Sequence, residues 1–232
     1  MLRELISFFQ RAEPLREMEA SFSDMLQRAH DLTVSAGDMY FTGSATPPRR
    51  TEVYAGDVQI NKLQRGIRRK VIAHLSVSGN AGSLPYCLLL MSLVKDVERI
   101  GDYAKNLAEI LDFQEGTLPD DDIVAELRAV RGGVEEAFND TLDIFSSSDR
   151  ERAFSLIRSG RDLTHRCDVL VTRIAHSSYD ANMTSSVLLA TRYYKRIGSH
   201  VLNVLSSVVM PLHKLDYYDE DEVPKAFQDG EK

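Results

Sequence analysis

The chain has 232 residues, 43% of them hydrophobic and 27% charged, a composition typical of a soluble globular protein. Its formal net charge of −7 disfavours binding to a long phosphate polymer, so no nucleic acid is expected as a partner. Cys87 and Cys167 lie in apolar segments without metal-binding or redox spacing. We therefore expect buried, reduced thiols and a cytoplasmic protein.

Turn signals divide the chain into six long helical segments, which predicts an all-α fold. Residues 1–9 lack the long apolar core of a signal peptide and are predicted to begin the first helix. Pro14 predicts that this helix runs mainly after it, because an interior proline removes a backbone hydrogen bond. The later boundaries are predicted at residues 43–48, 78–83, 115–120, 146–149 and 177–182.

Apolar residues in the third and fourth segments recur every three or four positions, the pattern of a helix that packs on other helices. In the third segment they are Val94, Val97, Ile100, Ala104, Leu107 and Leu111. In the fourth they are Leu127, Val134, Phe138, Leu142 and Phe145. These residues are predicted to lie in the core.

The sequence Arg99-Ile100-Gly101 recurs 97 residues later as Arg196-Ile197-Gly198, which indicates an internal repeat. A weaker correspondence between the second and fifth segments is offset by 107 residues, so the first helical hairpin should have the longer turn. The repeat predicts two tandem three-helix bundles, with units at residues 1–115 and 116–222 and an acidic C-terminal tail at 223–232. Gly101 and Gly198 are predicted to allow close approach of a neighbouring helix, because glycine lacks a side chain.

Acidic residues surround the first copy of the repeat. Glu98 and Asp102 are four residues apart and share a helix face, so their carboxylates can bind one cation. Asp96 or Asn61 is a candidate for a further ligand. A divalent or iron-type metal cation is thus one interpretation of this motif, with Glu98, Asp102 and Asp96 as ligands.

Basic residues on the second segment offer the other interpretation of the motif. Arg65, Arg68 and Arg69 can pair with Glu98 or Asp102 and replace the cation by a guanidinium. The same three arginines are also candidates for binding an acidic partner surface, or they form a solvated helix face. His200, beside the second copy of the repeat, is interpreted as a single metal ligand or as a polar interface residue.

Residues 98–102, their position in the third helix and the duplication together resemble the PhoU family, bacterial regulators of phosphate uptake. The resemblance implies a non-enzymatic protein of two three-helix bundles that forms a homodimer. It also implies partners: a phosphate transporter, with which the protein would associate peripherally at the membrane, and a sensor histidine kinase. In the family the acidic motifs hold metal clusters. Here Gln64 and Arg68 stand where the family has acidic residues on the second helix of the first unit. In the second unit Lys195 and Ser199 stand where Glu98 and Asp102 stand in the first, so the second motif is degenerate.

Motifs of common enzyme classes are missing: the chain has no phosphate-binding glycine loop, no nucleophile elbow and no Glu-x-x-His or His-Glu-x-x-His metal-ligand motif. No enzymatic activity is therefore expected. Three interpretations remain: a regulator of phosphate transport, a divalent-metal-binding helical protein, and a helical interaction scaffold unrelated to phosphate. The acidic run at 215–222 is interpreted as a recognition tail or a solubilising end.

Overall fold

The computed structural model describes residues 13–215, which form six long α-helices as the sequence predicts. The helices are α1 (Glu13–Thr42), α2 (Pro47–Leu75), α3 (Leu84–Glu109), α4 (Asp122–Ser147), α5 (Arg150–Ala175) and α6 (Ala181–Val209). Short 3₁₀ turns follow α3 and α6 and precede α3. The predicted helix start at residues 1–9 and the acidic segments beyond Leu215 lie outside the described residues.

Local sequence sets the helix ends. Asp121, Asp149 and Asp180 each accept a hydrogen bond from a backbone N–H in the first turn of α4, α5 and α6, which satisfies donors that have no partner within the helix. Helix α2 begins with two prolines, whose fixed φ suits the first turn of a helix. Pro14 lies next to Glu13, the first described residue of α1, and the rest of the described helix follows it.

The apolar stripes predicted from the sequence face the core. Residues 94, 97, 100, 104 and 107 of α3 are buried, and residue 111, just after α3, packs against them. In α4 residues 127, 134, 138 and 145 are buried and residue 142 is half-buried. Cys87 and Cys167 are buried free thiols, as expected.

The six helices pack as α1–α2–α3 and α4–α5–α6, with three helices on each side of the linker at residues 113–121. Helix α3 packs along α6, so the third helices of the two repeats form the junction, and buried residues of all six helices form one hydrophobic core. The turn between α2 and α3 is longer than the turn between α5 and α6, in agreement with the two repeat offsets.

Helices α1 and α4 also meet across the junction. The Arg131 guanidinium donates to Asp38 at 2.5 Å and to Glu135 at 2.7 Å, and it lies over the Phe41 ring. Charge-assisted hydrogen bonds from a partly desolvated arginine are stronger than ordinary surface ion pairs. They hold α1 against α4 at the edge of the common core.

Candidate functional site

The acidic motif occupies two different sides of α3. Glu98 and Asp102 are half-buried on the side that faces α2, whereas Asp96 is buried against α6. Residues 98 and 102 share a face because they are one helical turn apart, and residue 96 does not. The three predicted metal ligands are therefore not brought together in one site.

A lysine joins the α2 and α3 sides of the motif. The Lys105 Nζ donates to Asp57 Oδ2 at 3.3 Å and to Asp102 Oδ1 at 3.4 Å, and the Asn61 Nδ2 donates to the same oxygen of Asp57 at 3.3 Å. Burial lowers the pKa of Lys105, but the two carboxylates more than offset this, so its pKa is raised. The ammonium is thus held in its charged form between two helices. Neither Asp57 nor Lys105 was singled out from the sequence.

The carboxyl group of Glu98 lies in the same charged cluster. Burial and the neighbouring Asp102 raise the pKa of Glu98, while Arg99 and Arg68 act in the opposite direction. The Arg99 Nε lies 3.8 Å from a Glu98 oxygen, and the Arg99 Nη1 lies 3.4 Å from Asp102 Oδ2. Arg99 thus lies beside both Glu98 and Asp102, the two acidic residues on the α2 side of the motif.

This arrangement does not fit a divalent cation. A metal ion on Asp57 and Asp102 would have to occupy the place that the Lys105 ammonium takes between these two carboxylates. Among residues 13–215, no group of three or more His, Cys, Asp or Glu side chains is arranged to hold a metal ion. Lys105 and Arg99 of the chain itself already supply positive charge beside these carboxylates.

The second repeat replaces the acidic motif by an ion pair. Lys195 stands where Glu98 stands in the first repeat, and its Nζ contacts both carboxylate oxygens of Asp168 on α5 at 2.5 and 2.6 Å. In both repeats a lysine thus connects the second helix to the third. The position of the lysine along the third helix differs between the two.

Asp96 connects the two repeats. Its Oδ1 lies 2.8 Å from the Nδ1 of His200 and accepts a hydrogen bond at 2.8 Å from the Nδ2 of Asn203, both on α6. The Tyr103 ring stacks on the His200 ring and on the Tyr193 ring, with centroids 5.8 and 6.1 Å apart. The interpretation of His200 as a polar interface residue is therefore confirmed.

The three candidate arginines of α2 differ in their surroundings. Arg65 and Arg69 are exposed, and Arg68 is half-buried with an Nε that has no hydrogen-bond partner among the described residues. Within residues 13–215 none of the three forms an ion pair with Glu98 or Asp102; Arg68 acts on Glu98 only through its charge. The ion pair that joins α2 to α3 is formed by Asp57 and Lys105 instead, with the cation on α3, so the prediction that these arginines provide it is wrong.

Gly101 of α3 and Gly198 of α6 show how closely neighbouring helices approach, α2 at Gly101 and α4 at Gly198. A Cβ on Gly101 would lie 3.0 Å from the Ile60 Cδ1, a tight contact between the two helices, as expected. A Cβ on Gly198 would lie 3.4 Å from the nearest atom of Val134, an ordinary contact distance. Close approach at Gly198 is therefore not required.

These features define an all-α protein of two helical units that are joined along their third helices. None of the six described helices has an apolar stretch long enough to cross a membrane. Residues 15–111 match the model of the PhoU domain family, so the resemblance to the PhoU family is confirmed.

Relatives with known names agree with this assignment. The chain is 29% identical over 160 residues to a PhoU homologue from Pseudomonas putida, a phosphate-specific transport system accessory protein. A PhoU homologue of Clostridium acetobutylicum with the same description is 25% identical over 160 residues. The alignments cover 66% and 65% of this chain, and 62% and 71% of these relatives. The match to the first relative thus spans less than two thirds of its length.

Solved structures show the same fold. The crystal structure of PhoU from Pseudomonas aeruginosa superposes with a TM-score of 0.75 at 18% identity and covers 86% of this chain and 97% of its own. The phosphate transport system regulatory protein PhoU from Streptococcus pneumoniae gives a TM-score of 0.73 at 17% identity, with 88% and 96% of the two chains covered. The arrangement of six helices is therefore shared with PhoU proteins.

Proposed function

We propose that the protein is a non-enzymatic, cytoplasmic regulator of phosphate transport that binds a phosphate transporter, a sensor histidine kinase, or both. The match of residues 15–111 to the PhoU domain carries this proposal. The names of the relatives support it, since those proteins are accessory proteins of phosphate-specific transport systems. The absence of the common catalytic motifs from the sequence agrees with a role in binding.

Regulation by binding requires that one state of the partner be held more tightly than another. A regulator that bound both states equally would shift no equilibrium, however tight the complex. The protein needs a rigid surface for this discrimination, and the common core of its six helices supplies one.

The outward side of α3 is our candidate for the partner-binding surface. Leu84 and Leu88 are each almost half exposed, and Lys95 and Arg99 continue the same side of the helix. We call these four residues the α3 patch. Exposed leucines beside cations fit a partner surface that combines apolar and acidic side chains.

Deletion of the gene tests the function. We expect phosphate uptake to lose its difference between phosphate-rich and phosphate-poor growth, and a plasmid copy of the wild-type gene to restore it. Leu88→Asp should fail to restore regulation, since it places a charge in the apolar part of the α3 patch. Val169→Asp is the matched control, because Val169 is equally exposed on α5.

The outcomes separate the function from the surface. Unchanged uptake after deletion under both growth conditions would contradict the proposed function and would favour a scaffold unrelated to phosphate. If deletion abolishes regulation and the Leu88→Asp gene restores it as well as the Val169→Asp gene does, the α3 patch is rejected while the proposed function stands. A control that also fails would show that the effect is not specific to the patch.

For the acidic motif we propose that the Lys105 ammonium serves in place of a metal cation. The contacts of Lys105 with Asp57 and Asp102 support this over the divalent-metal alternative. Metal analysis of the purified protein should find no stoichiometric transition metal. A stoichiometric cation that is lost in Glu98→Ala would contradict the proposal and favour a metal-binding function.

A further inference from the structure

The two copies of the repeat share basic residues on their third helices. Lys95 and Arg99 of α3 correspond to Arg192 and Arg196 of α6, each 97 residues later. The acidic residues on either side of Arg99 are not repeated, since a lysine and a serine take their places in the second copy. Positive charge is therefore the feature that both third helices retain.

The contacts between α3 and α6 fix the register of the two helices. Asp96 contacts His200, and Tyr103, seven residues further along α3, stacks on Tyr193, seven residues further back along α6. The two helices thus run antiparallel. The end of α6 therefore lies beside the beginning of α3.

This register brings cations of the two repeats together. Arg99 lies level with Arg196 to within one residue, or about 1.5 Å along the axis. Both are exposed, although each is followed by a fully buried isoleucine, so they lie along the outer edge of the junction. Arg196 and Lys95 form no ion pair with any of the described carboxylates. Arg99 remains 48% exposed beside Glu98 and Asp102, so three cations face solvent along this edge.

An apolar surface precedes these cations along α3. Leu84 and Leu88 are 44% and 48% exposed in the first two turns of the helix. At the helical rise per residue, Lys95 lies about 16 Å and Arg99 about 22 Å from Leu84. A segment that covers this surface from the beginning of α3 must therefore offer apolar side chains first and anionic side chains next.

The chain contains such a segment directly after Leu215, the last described residue. Residues 216–222, which we call the acidic segment, have the sequence Asp-Tyr-Tyr-Asp-Glu-Asp-Glu. Two tyrosines thus precede four consecutive carboxylates, and the segment contains no cation. Its charge is opposite to that of the outer edge of the junction, and the order of its side chains matches the order along α3.

The position of Leu215 brings the acidic segment within reach of this surface. Helix α6 ends at Val209 beside the beginning of α3, and the 3₁₀ turn at Leu212–Lys214 keeps the following residues close to it. An extended chain advances at most about 3.6 Å per residue, so from Leu215 the tyrosines reach up to about 11 Å and the four carboxylates about 14 to 25 Å. These distances match those of the leucines and of the cations along α3.

We propose that the acidic segment folds back along α3 and covers the α3 patch of its own chain. Its two tyrosines pack on Leu84 and Leu88. Its four carboxylates lie along Lys95, Arg99 and Arg196. Covalent attachment favours this occupant over a separate acidic protein, because a short tether gives an effective concentration on the order of 1 mM.

The contact is weak enough to be displaced. Exposed ion pairs each contribute little free energy and are screened by salt. A partner that buries more apolar surface on Leu84 and Leu88 therefore displaces the segment. The segment thus restricts the α3 patch to such partners, a consequence that rests on the proposed function, whereas the contact itself does not.

Cross-linking of the purified full chain with a carbodiimide tests the contact, since this reagent joins an amine directly to a carboxylate. We expect the Lys95 amine to be joined to residues 219–222, as mapped by mass spectrometry, and high salt to reduce the product. Lys62 of α2 is the comparison, because it is also exposed but lies outside the proposed contact. The Lys95 product should clearly exceed the Lys62 product in the wild type.

Arg196→Glu tests the surface without altering the amine that is cross-linked. The variant should reduce the Lys95 product about fivefold, the effect expected for an exposed ion pair. Arg158→Glu is the matched control, because Arg158 is an exposed arginine of α5 and the charge change is the same. Thermal melts of both variants show whether the fold is kept, and the comparison of Lys95 with Lys62 in the wild type needs no variant.

A mixture of isotope-labelled and unlabelled protein separates contacts within a chain from contacts between chains, since only the latter join a labelled to an unlabelled peptide. A Lys95 product within one chain that Arg196→Glu reduces supports the proposal. No Lys95 product, equal products at Lys95 and Lys62, joined peptides of mixed label, or a product that Arg196→Glu leaves unchanged each overturns it. Because the readout is a cross-link and not phosphate uptake, failure here leaves the proposed function untouched.

Discussion

The Asp96 carboxylate on α3 lies 2.8 Å from the His200 ring nitrogen Nδ1 on α6. The two residues come from different repeats and meet at the junction of the two helical units. Asn203 donates to the same oxygen, so one buried carboxylate holds two side chains of the other unit. Polar contacts of this kind fix the register of two helices, since any slip leaves buried groups without partners.

Asp96→Ala should therefore destabilise the protein. The variant removes a charged acceptor and leaves two polar side chains at the junction without it, which should lower the free energy of unfolding by about 2–3 kcal/mol. Urea denaturation measures the change.

The control for this prediction is Asp31→Ala, which removes an exposed carboxylate of α1 and should cost less than about 0.5 kcal/mol. A double-mutant cycle with His200→Ala would assign part of the loss to the pair itself. Equal effects of Asp96→Ala and Asp31→Ala would contradict a structural role of the junction bond.

The all-α fold and its repeat could be predicted from the sequence because both depend on short-range patterns. Apolar spacing in α3 and α4 gave the buried faces, and Asp149 and Asp180 stood in capping segments. The motif at residues 98–102 likewise gave the family. Each of these signals is a short stretch of consecutive residues, and the repeat is the recurrence of one such stretch, Arg99-Ile100-Gly101, at residues 196–198.

The partners of the motif could not be predicted in the same way. Asp96 is only two residues from Glu98, yet it faces α6, and only the crossing of α3 and α6 reveals its contact with His200. Asp57 and Lys105 are 48 residues apart, and their pairing depends on how α2 lies along α3. The sequence contains one signal of this ion pair: Lys105 follows Asp102 by three residues, a spacing that places both side chains on the same side of the helix.

Lys105→Gln should create a site that responds to divalent cations. Without the ammonium, Asp57 and Asp102 repel each other, which should lower the stability by about 1–2 kcal/mol. A cation bound by these carboxylates should then restore it, as binding to the folded state alone raises stability. Thermal melts with and without Mn²⁺ measure the response.

Lys95→Gln is the control, because Lys95 is an exposed lysine of the same helix. Neither this control nor the wild type should gain thermal stability with Mn²⁺. If Mn²⁺ stabilises the wild type as much as Lys105→Gln, the ammonium does not take the place of a cation. If Lys105→Gln ignores Mn²⁺, the carboxylates do not converge as the structure indicates.

Glycine-to-alanine changes in α5 and α6 should have opposite effects. A Cβ on Gly160 would lie 2.5 Å from the Leu202 Cδ2, so Gly160→Ala should overpack the α5–α6 contact and cost about 1–3 kcal/mol. Gly198→Ala meets only an ordinary contact with Val134 and should gain up to about 1 kcal/mol of helix propensity. Gly101→Ala, at 3.0 Å from Ile60, should fall between the two.

Melting temperatures of the three glycine variants, compared with the wild type, give their order directly. A gain for Gly160→Ala as large as that for Gly198→Ala would show that Leu202 moves aside at no cost. The Gly101→Ala variant should also be assayed for partner binding. Its melting temperature reports on helix packing, and the binding assay reports on function.

Glu98→Gln should stabilise the protein at neutral pH and have no effect in acid. Burial and the neighbouring Asp102 raise the pKa of Glu98, so the folded state binds this proton more tightly than the unfolded chain does. A raised pKa favours folding below the ordinary pKa of glutamate, and this advantage is lost as the pH rises through the folded-state value. Glutamine, which stays neutral, should therefore gain less than about 1 kcal/mol at pH 7, a small effect because the side chain is only half-buried.

Urea denaturation of Glu98→Gln and the wild type from pH 3 to pH 8 checks the sign, with the difference expected to grow as the pH rises past the ordinary range for glutamate. Glu126→Gln is the control with the opposite sign, because its hydrogen bond from Arg166 lowers the pKa of Glu126. That variant should be less stable than the wild type at neutral pH and equal to it in acid. A Glu98→Gln variant that is less stable at pH 7 would show that the contacts of Glu98 with Arg99 and Arg68 outweigh its burial, and that this carboxylate supports the fold in its charged form.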